Sequence, residues 1–244
     1  MVQKHTITLV LPCRNEEKAL PHLKNLLPKE VDEVIVVDNG SKDKTVKVAQ
    51  SLGFRVFSED RHVKGIGYGY ALQKGILNST TDIIVTMDGD GSYPVKEIPG
   101  LVKTLLSENL DVISCNRLPF TNQKDMSFIR KTGVIILNLT ILALYQRIIK
   151  DSLTGMFVFR RDKIQAISFR EGGWDFSLEA KLRPIACGLA FKEVHIPYKD
   201  RVFGVSKQRI FQTGYTHFKY LFKFKGEQLS RTIKSVLSPV SSFK

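Results

Sequence analysis

Two aspartates separated by one glycine, Asp88 and Asp90, are the residues of this sequence best suited to chemistry. They directly follow Ile83–Met87, an apolar run that is typical of a buried strand. Two carboxylates at a strand end form a suitable seat for Mg²⁺ or Mn²⁺, because both cations prefer oxygen ligands and often share them with substrate phosphates. Asp and Gly are also common in turns, so a purely structural turn is the alternative interpretation.

A second polar loop, residues 38–41, follows the continuous β-branched run 34–37. The Asp38 carboxylate could accept hydrogen bonds from a nucleobase or a ribose. The same loop can begin a helix, because Ser41 or Asp43 is a suitable N-cap for the segment that follows. The two roles are compatible, so the loop predicts a ligand contact and a helix start at one place.

Alternating strands and helices over the first 115 or so residues position these loops. The predicted strands are Ile7–Leu11, Val34–Val37, Arg55–Phe57, Ile83–Met87 and Asp111–Cys115. This alternation predicts an α/β fold with a mainly parallel sheet and helices on both faces. Ligands bind outside the carboxyl ends of the strands in such sheets, where the loops 12–16, 38–41 and 88–92 all fall. Glu16 either faces a nucleotide or favours a helix start through the helix dipole.

The second half is less regular and contains two segments that can meet a membrane. Residues 130–150 predict a long, mostly apolar helix that is either interfacial or part of the core. From Lys207 onward, four aromatic residues recur at spacings of four, three and four, which places them on one helical face among lysines. Such a face suits a membrane surface, and packing on the preceding domain is the alternative. The aromatic residues are Phe211, Tyr215, Phe218 and Phe222.

Composition narrows the class of protein. The 244 residues, 43% of them hydrophobic, are enough for one large α/β domain. The formal net charge of +13 favours polyanionic partners, but the sequence has no zinc-finger, RNP or GXXG signature, so nucleic acid is not an expected partner. Three cysteines with neither zinc nor disulfide spacing indicate a reduced, cytosol-facing protein. The longest apolar stretch, 133–145, is shorter than the about 20 residues that a membrane span needs.

Three of the motifs together resemble a known family. They are Pro-x-x-Asn-Glu at 12–16, Val-Val-Asp-Asn-Gly-Ser-x-Asp-x-Thr at 36–45 and Asp-Gly-Asp at 88–90. In combination they are similar to the inverting family-2 glycosyltransferases, which have the GT-A fold. The resemblance covers roughly residues 5 to 210.

Further matches favour one branch of that family. Asn116-Arg117 and the segments 151–155 and 201–207 resemble the polyprenyl-phosphate sugar transferases, of dolichyl-phosphate mannose synthase type. We therefore expect a GT-A catalytic domain over residues 1–206 that includes the helix at 130–150. A basic amphipathic helical segment is expected to follow over residues 207–244.

The resemblance implies a role for each matching residue. Asp90 and Arg117 would be the catalytic residues, Arg117 by contacting a phosphate of the acceptor or the donor. The sequence differs from the family pattern at two positions next to these aspartates. The first is Asn39, which stands where a second acidic residue often follows Asp38. Ser92 stands where this branch often has a Gln, so that the implied metal ligands are Asp88, Asp90 and Ser92. The implied nucleotide-sugar ligands are Pro12, Asn15, Glu16, Asp38 and Asp88, with Arg201 and Lys207 closing over phosphate from a flexible loop.

The implied reaction is the metal-dependent transfer of a sugar from a nucleotide-sugar to a polyprenyl (dolichyl) phosphate, with inversion at the anomeric carbon. GDP-mannose is the first expected donor and UDP-glucose the second, with Mg²⁺ or Mn²⁺ as cofactor. The acceptor needs no strong base, because the second pKa of a phosphate is about 6 and its oxygen is already anionic near neutral pH. We expect a peripheral protein on the cytosolic face of an anionic membrane, with a membrane subunit as a further partner.

Two other functions remain open. Transfer to a sugar or protein hydroxyl would need a general base, for which Asp151, Asp175 and Glu179 are the candidates. Each of them is equally interpretable as an ordinary loop or helix-surface carboxylate. A non-enzymatic, transferase-like scaffold that binds a membrane partner through its basic C-terminal segment is the third interpretation, which the intact acidic motifs disfavour.

Overall fold

The computed structural model describes residues 5–119, 128–199 and 210–237. The strands are β1 Ile7–Cys13, β2 Glu33–Asp38, β3 Arg55–Ser58, β4 Ile83–Thr86, β5 Val112–Asn116, β6 Phe157–Arg160 and β7 Phe191–His195. The helices are α1 Ala19–Leu26, α2 Thr45–Ser51, α3 Tyr68–Asn78, α4 Ile98–Ser107, α5 Phe128–Tyr145, α6 Arg161–Gln165, α7 Phe176–Ala186 and α8 Ile210–Leu237, with a 3₁₀ turn Val95–Glu97 before α4.

The described residues form one seven-stranded sheet in the order β3-β2-β1-β4-β6-β5-β7. β1, β2 and β4 are mostly apolar and are buried on both faces of the sheet, as is usual for parallel strands. β1 pairs in parallel with both β2 and β4, and β2 pairs in parallel with β3. The mainly parallel α/β sheet predicted from the sequence is therefore confirmed. The sequence also predicts a strand at Met156–Phe159, which the structure shows as β6, but the antiparallel place of this strand between β4 and β5 was not predicted.

Helices cover both faces of the sheet, as predicted. Alternate residues of β1 point to opposite sides, so that Leu9 and Leu11 join one apolar cluster and Val10 joins the other. The first cluster includes residues of α1, α2 and α4, and the second includes residues of α3, α6 and α7. The two faces together hold the sheet rigidly, so its carboxyl edge is a fixed platform for the loops that follow each strand.

A third apolar cluster joins α5, α7 and α8 through Leu137, Leu178 and Tyr220. The predicted helix at 130–150 ends earlier, at Tyr145. Its end is explained by Gln146, which adopts a left-handed backbone conformation with φ 54°. The chain then turns back, and the Asn138 side-chain amide donates to the Lys150 carbonyl at 2.7 Å. In the part of the chain that the structure describes, no helix combines the length and apolarity needed to cross a bilayer.

The C-terminal helix α8 is amphipathic, and it has aromatic residues on both its buried and its exposed side. Tyr220, Leu221 and Phe224 are buried, whereas Tyr215 and Phe222 are exposed. The exposed pair belongs to the aromatic face predicted from the sequence. The predicted boundary between residues 206 and 207 lies outside the described residues.

Candidate active site

The loops after β1, β2 and β4 meet at the carboxyl edge of the sheet. Cys13, the last residue of β1, is the registered neighbour of Asp38 at the end of β2. The backbone N–H of Asn39 donates to the Cys13 carbonyl at 2.9 Å, which continues the pairing beyond the strand. A Cβ on Gly89 would lie 2.9 Å from the Cys13 sulfur, so the loop after β4 approaches the same place. The three predicted loops therefore form one site.

One carboxylate oxygen of Asp38 accepts no hydrogen bond from the described residues. Its side chain is buried, and its Oδ2 accepts a hydrogen bond from the Ser41 backbone N–H at 3.2 Å. Its Oδ1 is also buried and has no hydrogen-bond partner among the described residues. A buried acceptor left without a donor is costly, so this oxygen suits a donor that a ligand supplies. That geometry fits the predicted contact to a nucleoside.

Asn15 and Glu16 fix the first loop against the second. Asn15 adopts a left-handed backbone conformation with φ 57°, and its N–H donates to the Ser41 hydroxyl at 2.9 Å. Its side-chain oxygen accepts from the Lys42 N–H at 2.7 Å, and the Glu16 N–H donates to the Thr45 hydroxyl at 2.8 Å. The backbone groups and the Asn15 side chain therefore hold the loop after β1 against the loop after β2. The Glu16 carboxylate itself is nearly buried at the same edge.

Asn39 has a structural reason for replacing an acidic residue. Its amide nitrogen donates to the Glu59 carbonyl at 2.6 Å, and its amide oxygen accepts from the Gly67 N–H at 3.1 Å. A carboxylate could accept the second bond but could not donate the first. A Cβ on Gly67 would lie 2.2 Å from the Asn39 amide nitrogen, so this position requires glycine. The glycine-rich start of α3 thus serves the packing of the Asp38 loop.

The Asp88–Asp90 loop is preorganised by neighbouring hydroxyl groups. Both the backbone N–H and the hydroxyl of Ser92 donate to Asp90 Oδ1, at 3.0 and 2.5 Å. The Tyr68 hydroxyl is hydrogen-bonded to the Asp88 carboxylate, and burial together with this negative charge raises the pKa of Tyr68 well above its usual value. Ser92 therefore orients Asp90 in this structure. Its service as a third metal ligand stays a prediction.

The donor set of this loop fits a hard divalent cation that is shared with a substrate. Among the described residues, no group of three or more His, Cys, Asp or Glu side chains could hold a metal ion. Asp88 and Asp90 supply carboxylate oxygens, which Mg²⁺ and Mn²⁺ prefer. A metal bound here would need further oxygens, and phosphates of a nucleotide are suitable ones.

Arg117 forms a buried, two-point ion pair with Asp151. Its Nε donates to Asp151 Oδ2 at 2.7 Å and its Nη2 donates to Oδ1 at 3.0 Å. Burial alone would raise the pKa of Asp151, but the charge and hydrogen bonds of Arg117 hold it below its usual value. Burial likewise opposes the charge of Arg117, yet the Asp151 carboxylate keeps the pKa of Arg117 well above its usual value. Both groups are therefore charged at neutral pH.

Three tyrosines lie between this ion pair and the aspartate loop. The Arg117 guanidinium lies over the Tyr198 ring, 5.2 Å from its centre, and the Tyr198 hydroxyl is hydrogen-bonded to the Ser92 side chain. The Tyr93 hydroxyl accepts from the Gly155 N–H at 2.7 Å. A Cβ on Gly155 would lie 2.5 Å from the Tyr68 hydroxyl and 2.9 Å from Asp88 Oδ1. The pattern of the sequence did not single out these tyrosines, because aromatic residues near a strand end are usually core.

The candidate general bases differ in their surroundings. Asp151 is engaged by Arg117, and Glu179 is fully buried and accepts from Arg183 Nε at 2.8 Å and from two backbone N–H groups. Burial and the neighbouring Glu171 raise the pKa of Asp175 to about 6. Glu179 is therefore not the helix-surface carboxylate of the alternative interpretation, whereas Asp151 does lie in a loop but is fully buried. Arg201 and Lys207, predicted to contact phosphate, lie outside the described residues.

Comparison with known proteins places the chain in a family. Residues 8–168 match the family described as Glycosyl transferase family 2. An uncharacterized glycosyltransferase of Mycobacterium tuberculosis is 30% identical over 82% of this chain and 88% of its own length. A dolichyl-phosphate hexose transferase of Haloferax volcanii is 29% identical over 80% of this chain and 83% of its own length.

The fold is shared with a solved enzyme. The crystal structure of glucosyl-3-phosphoglycerate synthase from Mycobacterium tuberculosis, in complex with Mn²⁺, uridine-diphosphate and phosphoglyceric acid, matches 91% of this chain and 79% of its own. The TM-score is 0.74 at 21% sequence identity. The structural similarity confirms the predicted GT-A architecture, and the sequence matches assign the family. The chain belongs to glycosyl transferase family 2 and is a glycosyltransferase of GT-A fold.

Proposed function

We propose that this enzyme transfers a sugar from a nucleotide-sugar to a phosphate group carried by a polyprenyl lipid. The observation that carries the proposal is the buried, charged Arg117 next to the Asp88–Asp90 loop, at the same edge as the open oxygen of Asp38. The end with Asp38 suits a nucleoside, and the end with Arg117 and the Asp88–Asp90 loop suits phosphates. Two similar proteins support a phosphate-bearing acceptor, since one is named for dolichyl phosphate and the other is bound to phosphoglyceric acid.

Different residues of the site would contact the nucleoside, the metal and the acceptor. Asp38 would accept a hydrogen bond from the nucleoside, and Asp88 and Asp90 would hold Mg²⁺ or Mn²⁺. A metal held by these two residues would supply positive charge that offsets the negative charge of the diphosphate. Arg117 would attract the anionic acceptor and reduce its repulsion by the donor. The acceptor oxygen attacks the anomeric carbon from the opposite side, so that the configuration inverts and the nucleoside diphosphate leaves with the electron pair of the broken bond.

The resemblance and the proposed acceptor also indicate a donor and a location. GDP-mannose is the first candidate by resemblance to the dolichyl-phosphate branch. UDP-glucose is the second, and it is bound in another structure of the mycobacterial synthase. A polyprenyl phosphate resides in a bilayer, so we propose a peripheral location on the cytosolic face of a membrane.

The proposal is tested by an acceptor comparison with labelled donors and Mn²⁺. We expect product with detergent-solubilised polyprenyl phosphate and none with the free polyprenol, because only the phosphate supplies an anionic nucleophile without a base. Asp90→Asn and removal of divalent metal by EDTA should each abolish transfer. The surface change Asp162→Asn is the matched control, since Asp162 is exposed on α6, which follows β6 at the opposite edge of the sheet. Transfer that survives both Asp90→Asn and EDTA would contradict the metal assignment.

A second candidate function is transfer to a sugar hydroxyl. The observation that favours it is the raised pKa of Asp175, because a carboxyl with a pKa of about 6 is suited to act as a general base near neutral pH. This candidate predicts activity on soluble oligosaccharides that is lost in Asp175→Asn. Transfer to lipid phosphate that survives Asp175→Asn would exclude it.

A further inference from the structure

Helix α5 presents an apolar surface to the outside of the protein. Between residues 131 and 145, every exposed residue is apolar. We call this set the α5 outer face; its members are Ile135, Ile136, Leu139, Leu142 and Ala143. Ile135 is 56% and Leu139 is 59% exposed. A solvated helix usually carries polar residues on its outer side, so a contiguous apolar face indicates that another surface covers it.

The outer face cannot be turned inward to join the core. The opposite side of α5 is already occupied, because Val134, Leu137 and Ile141 are buried. Leu137 and Ile141 belong to the cluster that α5 shares with α7 and α8. The Tyr145 hydroxyl also donates to the Leu221 carbonyl of α8, which fixes the helix about its axis. The outer face is therefore held outward by the packing of the rest of the helix.

Cations flank this apolar surface, and α5 contains no acidic residue. Lys131 lies near its beginning, and Arg147 and Lys150 are exposed just beyond its end. The adjacent helix α8 repeats the pattern, with exposed Phe222 next to exposed Lys223. An apolar face bordered by lysine and arginine fits a bilayer with anionic headgroups, where each cation near the surface contributes to binding. A second copy of the chain would instead bring these cations together on a protein of net charge +13.

We propose that the α5 outer face docks the protein onto an anionic lipid bilayer. Ile135, Leu139 and Leu142 enter the boundary between headgroups and acyl chains, while the flanking cations contact the headgroups. The helix lies along the surface and does not cross it, in agreement with the absence of a spanning helix among the described residues. The inference rests on the proposed function for its purpose, because a polyprenyl phosphate acceptor would lie in the same bilayer.

Docking is tested by flotation with lipid vesicles that contain neither donor nor polyprenyl phosphate. We expect the enzyme to float with vesicles of phosphatidylcholine and phosphatidylglycerol, and to bind far less to phosphatidylcholine alone. Leu139→Ser should weaken binding about tenfold, because a serine side chain buries far less apolar surface in the bilayer than leucine does. Leu77→Ser is the matched control, since Leu77 is 67% exposed on α3. It should leave binding unchanged.

A triple variant, Ile135→Ser with Leu139→Ser and Leu142→Ser, makes the test decisive. It should keep the wild-type thermal midpoint, since its three side chains are exposed, and lose vesicle binding. Binding equal to that of the wild type would overturn the proposal. A wild-type dimer that this variant converts into a monomer would also overturn it, because the face would then be a subunit interface.

The docking and the proposed function can fail separately. Wild-type transfer to detergent-solubilised polyprenyl phosphate without any vesicle binding would overturn docking alone. Vesicle binding that depends on the α5 outer face, without transfer to polyprenyl phosphate, would overturn the acceptor and support docking. The triple variant should remain active in detergent, where no bilayer surface is needed.

Discussion

Asp38 and Asn39 are neighbours in the chain, yet their side chains serve different purposes. The amide nitrogen and the amide oxygen of Asn39 both form hydrogen bonds within the protein, whereas Asp38 Oδ1 has no hydrogen-bond donor among the described residues. The sequence could predict the position of the pair, because both follow a buried β-branched run. It could not predict which of the two belongs to the loop, since that depends on Glu59 and Gly67, which are distant in the chain. Ser92 is similar, because its bond to Asp90 is visible only in three dimensions.

Removing the Asp38 carboxylate should weaken nucleotide-sugar binding. A hydrogen bond to a charged group contributes about 1.5–3 kcal/mol, so we expect Asp38→Ala to raise the dissociation constant about tenfold or more. Titration calorimetry with GDP- and UDP-sugars and Mn²⁺ measures the change. Asp162→Ala removes an exposed carboxylate at the opposite edge of the sheet and should bind as the wild type does. Unchanged affinity in Asp38→Ala would mean that the nucleoside binds elsewhere.

Changing Asn39 to aspartate should destabilise the fold. The carboxylate cannot donate to the Glu59 carbonyl, and leaving a buried polar group unsatisfied costs about 1–3 kcal/mol. Urea denaturation of Asn39→Asp should show a loss of that size in the free energy of unfolding. Asn25→Asp, at an exposed helix position, should show little change. A variant as stable as the wild type would show that the acidic residue fits this loop equally well.

At the scale of elements, β6 determines how the end of the site that contains Arg117 is built. β6 runs antiparallel to β4 and β5, so the loop that precedes it, rather than the one that follows it, lies at the carboxyl edge. Asp151 and Gly155 therefore reach Arg117 and Asp88. Apolar patterns along the chain predict strands but not their order, which is why this strand was expected and its place in the sheet was not. The end of α5 was likewise set by the backbone of Gln146, which no apolar pattern reports.

The ion pair between β5 and the loop before β6 should be sensitive to loss of one partner. Asp151→Asn leaves Arg117 buried without its counter-charge, and such a loss costs about 3–5 kcal/mol. Denaturant unfolding should show it. Glu108→Gln breaks the exposed pair with Lys192, which contributes about 1 kcal/mol or less. Equal small effects in the two variants would show that the buried pair is not held as tightly as its geometry indicates.

A methyl group at Gly155 should disturb Asp88 through Tyr68. The added Cβ would lie too close to the Tyr68 hydroxyl and to Asp88 Oδ1, so one of them must shift. We expect Gly155→Ala to weaken Mn²⁺-dependent nucleotide binding, measured by calorimetry. Adding Tyr68→Phe removes the hydroxyl and should restore part of the affinity, because the methyl group gains space. If the double variant binds no better than Gly155→Ala, the Tyr68 hydroxyl is not the group that transmits the change.

On the scale of the whole molecule, the C-terminal helix is packed into the same body as the sheet. The sequence predicted the amphipathic helix from its spacing. It could not separate the aromatic residues that face outward, such as Tyr215, from those that pack on α5 and α7, such as Tyr220. Which side is buried depends on partners contributed by other helices. Buried charged groups such as Lys181 and Glu179 were also beyond prediction, because charged residues are rarely buried.

The pH dependence of stability should report the carboxyl of Asp175. Its pKa is raised to about 6 in the folded protein, so the folded state holds the proton more tightly than the unfolded state. Its contribution is therefore fully present at low pH and is lost as pH rises towards 6. We expect Asp175→Asn to be more stable than the wild type at pH 7, by about 1–2 kcal/mol, and similar to it at pH 4.

Denaturation of both proteins at several pH values measures this difference. Comparison of variants is needed because His217, with a pKa lowered to about 4 by burial, acts in the opposite direction over the same range. His217 is present in both proteins, so its effect cancels. A difference between wild type and Asp175→Asn that does not vary from pH 4 to 7 would contradict the raised pKa.

The position of β6 also has a consequence for synthesis on the ribosome. β1 to β4 emerge first and contain the Asp38 and Asp88 loops, but one edge of β4 finds its partner only after β5 and α5 have been made. Until then the nascent chain exposes an apolar strand edge, which is a template for pairing with other chains. The half of the pocket expected to hold the nucleotide can thus assemble before the half expected to hold the acceptor. Ribosome stalling between β4 and β6 should leave a species that aggregates readily.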